Sequence, residues 1–166
     1  MKRLCLLIIA SLFTLSAHAL SMSDKLNAVG DSALAAGDLT AARQAYEQAV
    51  VADPADPRPR IGLGNVHLAL DHPMAARQFY AGALDIEPDD LKALSGGGKA
   101  DLALELEAEA EKKKERLLRL CGADCPEYKD LKQAVIAFKE RPQMSEAERL
   151  AALSAKKDED EKDGKK

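Results

Sequence analysis

The sequence has no tryptophan, and only 4% of its 166 residues are aromatic. It therefore lacks the flat stacking surface that a carbohydrate-binding platform needs. Positive charge is not in excess either: 24 Lys and Arg stand against 28 Asp and Glu. That balance gives no general attraction to nucleic acid, and no polybasic stretch exists to hold the chain on anionic lipid. No apolar run is long enough to cross a bilayer. Catalytic signatures are also missing: there is no Gly-x-Ser-x-Gly, no His-Glu-x-x-His and no Cys-x-x-Cys-His. Gly96-Gly97-Gly98 lacks the Lys-Ser/Thr that completes a phosphate-binding loop, so it reads as a helix break or a close-packing point. Three histidines and three cysteines are few ligands for a hydrolytic metal site. These absences predict a protein that is not an enzyme, with no cofactor, no nucleic-acid partner and no membrane span.

The apolar run that does occur is short and lies at the start. Met1, Lys2 and Arg3 are followed by apolar residues from Leu4 to Leu15, then by the small-x-small sequence Ala17-His18-Ala19. This is the layout of a secretory signal peptide. We expect residues 1–19 to be removed by cleavage after Ala19 and the chain to be periplasmic or secreted. Loss of Lys2 and Arg3 leaves 22 basic residues against 28 acidic ones, a net charge of −6. Cys5 is removed as well, leaving Cys121 and Cys125. An even pair in an oxidising compartment reads first as a disulfide.

The most informative feature is self-similarity at a spacing of 34. Ala41-Ala42-Arg43-Gln44 recurs as Ala75-Ala76-Arg77-Gln78, and Gly30, Tyr46, Ala49, Pro54 and Asp56 match Gly64, Tyr80, Ala83, Pro88 and Asp90. Such a period indicates a repeat architecture. Each unit has the pattern of two antiparallel helices. In the first, Leu26, Val29, Ala33 and Leu34 give one stripe and Gly37-Asp38 breaks it. Ala42, Ala45, Tyr46, Ala49 and Val50 give the next, which Asp53-Pro54 ends. In the second, Ile61, Leu63, Gly64, Leu68 and Leu70 precede a turn at Asp71-His72. Pro73 then opens a helix with Phe79, Tyr80, Ala83, Leu84 and Ile86 inward.

On these residues the chain resembles the tetratricopeptide repeat family across 23–56 and 57–90. Gly30/Gly64, Ala42/Ala76, Tyr46/Tyr80, Ala49/Ala83 and Pro54/Pro88 fall on signature positions, whereas Leu26 and Arg60 stand where the family has an early aromatic. The resemblance implies an all-α helical solenoid that acts as a protein–protein interaction scaffold or adaptor. Its first helices would line a concave groove with Asn27, Asp31, Arg58, Ile61, Asn65, Leu68 and Lys92. Asn65 and Lys92 match peptide-binding members. Asn27, Asp31 and Gly96 replace the lysine, asparagine and arginine of chaperone-tail binders, so that clamp is not implied. A solvated helix face is the alternative reading of all seven.

Residues 91–124 form a degenerate third unit. Leu94, Gly98 and Ala110 stay in register, but Lys114 and Leu117 replace the tyrosine and an alanine, and no turn residues stand at the expected place. Either a third helix pair forms, or a short helix breaks at Gly96-Gly97-Gly98 and one long helix follows. Because two repeats leave an apolar face uncovered, we expect the imperfect pair.

Beyond it, Gly122 suits a helix end and Pro126 the start of another. Tyr128, Leu131, Ala134, Val135 and Phe138 then make the stripe of a C-terminal capping helix. The segment 125–155 would hold this helix and a short one opened by Ser145 and Glu148, and the charged tail 156–166 would be disordered. His67 should pack within a helix and His72 should be solvated. The ending Leu-Cys-x3-Cys-Pro-Glu-Tyr is similar to that of some bacterial exported repeat proteins. The Cys121-x3-Cys125-Pro126 spacing is also similar to copper-delivery proteins of the Sco type, and thiolates suit Cu(I). Copper handling is therefore the alternative function, behind a structural disulfide and ahead of a redox-active bridge.

Overall fold

The computed structural model describes residues 21–141, and among these all regular structure is helical. The expected signal peptide, the helix from Ser145 and the charged tail lie outside the described residues. Seven helices follow one another: α1 (Met22–Ala35), α2 (Leu39–Ala52), α3 (Arg58–Ala69), α4 (Pro73–Ile86), α5 (Leu91–Ala103), α6 (Glu107–Cys121) and α7 (Pro126–Glu140). Each packs on its neighbours in sequence, and α1, α3, α5 and α7 also touch one another in turn, whereas α2, α4 and α6 do not. The odd helices thus form a continuous inner row and the even ones an outer row. The result is a helical solenoid, with α7 in the place that the first helix of a fourth pair would take.

Local chemistry fixes the helix ends. Ser21 and Asp24 form a capping box on α1, and the carboxylates of Asp38 and Asp90 accept the amides of Ala41 and Ala93. These side chains satisfy donors that the first helical turn leaves unpaired. Pro73 and Pro126 occupy first helical positions, where no amide donor is needed. Gly122 ends α6 at φ 83°.

The core is built on an interlock of tyrosine with glycine. Tyr46 and Tyr80 are each only 1% exposed. The ring of Tyr46 lies against Gly30 of α1 and Gly62 of α3, and that of Tyr80 against Gly64 of α3 and Gly96 of α5. A Cβ at any of these four glycines would come within 3.0 Å of the ring. Each tyrosine therefore wedges between two inner helices, and alanines 42, 45, 49, 76 and 83 let the outer helix follow it in. Lys114 breaks the series, and Leu131 of α7 fills the hollow over Gly98 instead.

Several expectations change. Val29 is 57% exposed because Ser23, Asn27 and Gly30, not the larger apolar residues, form the inward stripe of α1. Only glycine leaves room there for Tyr46. Leu70 and Ile86 lie at helix ends and are partly exposed. The third unit is the expected helix pair, and of the two readings of Gly96-Gly97-Gly98 the close-packing point holds and the break does not: all three are buried within α5. The missing turn exists at Leu104–Leu106. Glu105 has φ 60°, in register with Asp71 at 56° and Gly37 at 78°. The backbone requirement persists although the residue type that signals it does not.

Candidate functional site

The inner row presents a groove of about 560 Å³. Six of the seven residues expected on the concave face line it: Asn27 and Asp31 from α1, Arg58, Ile61 and Asn65 from α3, and Lys92 from α5. Leu68 does not. It lies two helical turns beyond Ile61 and packs, partly buried, against the cluster of Ile61, Ala76 and Tyr80. A second hollow of about 350 Å³ shares Ile61, Asn65 and Lys92 and extends past Ser95 and Lys99 to Glu127 and Asp130 of α7.

Polar bonds stiffen the groove wall. Tyr46 donates to Asp31 Oδ1 and Tyr80 to Asn65 Oδ1, both at 2.7 Å. Burial, reinforced by Asp31, raises the pKa of Tyr46, and burial raises that of Tyr80, so both hydroxyls stay protonated donors. Asp31 and Asn65 are equivalent positions of successive repeats, so each tyrosine reaches one place on the inner helix and fixes the side chain there.

At the N-terminal end, the buried carboxylate of Asp56 accepts from Ser23 Oγ at 3.1 Å and from Asn27 Nδ2 at 2.9 Å. It also accepts the backbone amide and the guanidinium of Arg58. Burial pushes its pKa up, but the bonds from Arg58 and Ser23 outweigh that and hold it below the usual carboxylate range. Arg58 reaches on to Asp24 Oδ1 at 2.6 Å. The Arg58 charge, although it lines the groove, is thus already met by two carboxylates.

The groove also contains residues that were not among the seven expected on the concave face. Glu87, Asp89 and Asp90 come from the α4–α5 connection and Glu127 from α7. Asp90 was legible as the partner of Asp56 at the spacing of 34. Glu127 was not, because its position depends on how α7 closes the inner row.

The other expected residues lie outside the groove. The Sγ atoms of Cys121 and Cys125 are 2.16 Å apart and their Cα atoms 5.6 Å apart, at the end of α6 and just before the start of α7. Among the described residues no group of three or more His, Cys, Asp or Glu is arranged to hold a metal ion. His67 packs within α3, with its ring 5.1 Å from that of Phe79 and nearly parallel to it. Burial, then the nearby His72, lowers its pKa. His72 is exposed in the turn. No described helix is long and apolar enough to cross a membrane.

Comparison with known proteins agrees with this architecture. A tetratricopeptide repeat family model matches residues 33–102. No curated protein sequence matches the chain. Among solved structures, the first repeat domain of Spaghetti (RPAP3) bound to the HSP90 peptide SRMEEVD is similar at 24% identity and a TM-score of 0.65, over 72% of this chain and 97% of that one. The Arabidopsis OM64 repeat domain gives 21% and 0.64, over 73% and 97%. The Yersinia enterocolitica type III secretion chaperone SycD, in complex with a peptide of the translocator YopD, gives 20% and 0.62, over 74% and 93%. The interlocked tyrosines and glycines, the helix pairs repeating every 34 residues and the matched segment identify residues 33–102 as tetratricopeptide repeats.

Proposed function

We propose that the chain is an exported, non-catalytic adaptor that holds a segment of a partner protein in the groove along its inner helices. The observation that carries this reading is the groove itself: it runs across three helices, and its polar side chains are pre-set by Tyr46, Tyr80 and Asp56. Side chains already fixed lose little entropy on binding. The repeat domain of Spaghetti and the chaperone SycD are both described in complex with peptides, which supports a protein segment as ligand. The start Met1–Ala19 supports export. In the periplasm Cys121 and Cys125 would be oxidised and would tie α7 to α6.

The test is in-cell crosslinking of the tagged protein, with mass spectrometry of what is captured. Asn65→Tyr serves as the reference, because a bulky neutral side chain at this exposed position blocks the groove whatever charge the ligand carries. A recurrent partner that is lost in Asn65→Tyr is expected. Partners that are unaffected would move binding to another face, and recovery only from the cytoplasm would contradict export.

A further inference from the structure

The groove has more to say about what it takes, and this step rests on the adaptor reading. Its wall is rich in acceptors. Asp31 projects from α1 and is exposed; its only bonded partner among the described residues is the Tyr46 hydroxyl, so no cation meets its charge. Glu87, Asp89, Asp90 and Glu127 line the same space, Asp89 being paired with Arg116 and Asp90 capping α5. Of the two groove cations, Arg58 is held by Asp24 and Asp56, leaving Lys92 as the only one without an ion-pair partner among the described residues.

A second observation is independent of these charges. Asn27 lines the groove, is 5% exposed, and its Oδ1 has no hydrogen-bond donor. The amide cannot be turned round to relieve this. Its nitrogen must face the Asp56 carboxylate, which accepts and does not donate, so the oxygen is fixed as the unpaired end. A buried acceptor left without a donor is costly. Asn27 and Asp31 are one helical turn apart on α1, and both line the groove.

We infer that the groove binds a basic segment of its partner, with a lysine or arginine side chain donating to the exposed Asp31 carboxylate and neighbouring backbone crossing Asn65. A terminal carboxylate or an acidic segment would meet Asp31, Glu87 and Glu127 with like charge.

Three short end-blocked, fluorescein-labelled peptides test this by anisotropy with residues 20–166. One alternates arginine and serine, one carries glutamate for arginine and one carries glutamine. Asp31→Asn is a charge-only change, because Asn65 shows that an amide oxygen at this position still accepts the tyrosine hydroxyl. The arginine peptide is expected to bind, about tenfold more weakly to Asp31→Asn and more tightly to Lys92→Glu. Asp85→Asn, which removes one exposed charge on the outer helix α4, should change affinity less than about twofold. Equal losses in Asp31→Asn and Asp85→Asn would mean diffuse attraction to an acidic protein and would overturn the inference. Preferential binding of the glutamate or glutamine peptide, or of none, would also overturn it. In each of those cases the adaptor reading stands or falls by the crosslinking alone. A groove-dependent partner captured through an acidic segment would reject the basic ligand and keep the adaptor.

Discussion

The hydroxyl of Tyr46 donates to Asp31 across 2.7 Å, binding an outer-helix core residue to a groove residue of the inner helix. Tyr80 and Asn65 repeat the relationship 34 residues on. One side chain therefore supports both the fold and the groove. Tyr46→Phe keeps the buried ring and removes only the bond, and should lower stability by about 1 kcal/mol in urea unfolding. It should also weaken groove binding by freeing Asp31, which a substitution that acts only on the core would not do.

The glycines beside these rings predict opposite outcomes for one chemical change. In Gly62→Ala the new methyl meets the Tyr46 ring, which is closely packed and cannot yield. Overpacking costs about 1–3 kcal/mol and exceeds the gain of about 1 kcal/mol in helix propensity. In Gly82→Ala the nearest atom is the Arg60 Cδ at 3.4 Å, on a flexible side chain. That variant should be more stable by roughly 0.5–1 kcal/mol. Thermal or urea melts of the two variants decide the matter by sign.

Asp101 is fully buried in α5 and bridges two outer helices, accepting from Arg77 Nε of α4 at 2.8 Å and from Lys113 of α6. Removing both cations would strand the carboxylate, at a cost of about 3–5 kcal/mol. Arg77→Met or Lys113→Met alone leaves it one partner. The double variant should therefore lose more than the two single losses added together, measured as unfolding free energies in a double-mutant cycle.

His67 makes stability depend on pH. Burial first, and then His72 and Arg43, hold its folded pKa below the ordinary 6.5. The unfolded chain therefore takes up the proton before the folded one does. The contribution is complete above about pH 6.5 and is lost as pH falls from there through the folded pKa. Urea midpoints between pH 7.5 and 5 should fall more steeply for the natural sequence than for His67→Gln.

The pairing of Cys121 with Cys125 should make the oxidised protein lighter by two hydrogens in intact-mass measurement. It should also resist urea more than Cys121→Ser/Cys125→Ser. Closing so short a loop is worth about 2 kcal/mol in the chain-entropy model. Cu(I) bound per chain without prior reduction, and lost in the double serine variant, would favour the metal-handling alternative.

Much of this architecture could be read from residue types. The period of 34 placed the helix pairs, and Pro73, Gly122 and Pro126 marked helix ends because their backbone chemistry permits little else there. Six of the seven residues that the family resemblance placed on the concave face line the hollow there. What escaped notice depended on neighbours. Asn27 reads as a surface residue until the Asp56 carboxylate of the next unit is placed beside it. Gly96-Gly97-Gly98 reads as either a break or a close-packing point until Tyr80 and Leu131 are seen to need the space. Glu105 carries a left-handed turn that glycine and aspartate announce in the earlier units and that glutamate conceals.

The spacing of the interlock also determines which unit can be copied. Each tyrosine lies 16 residues from the glycine before it and 16 from the glycine after it. In a chain with 57–90 inserted twice, the first copy's Tyr80 would meet its own Gly64 and the second copy's Gly62, the two hollows it requires. A duplicate of 91–124 would offer Lys114 to those hollows and leave them unfilled. The middle repeat is thus a self-compatible module, and an array lengthened with it should keep its cap while extending the groove.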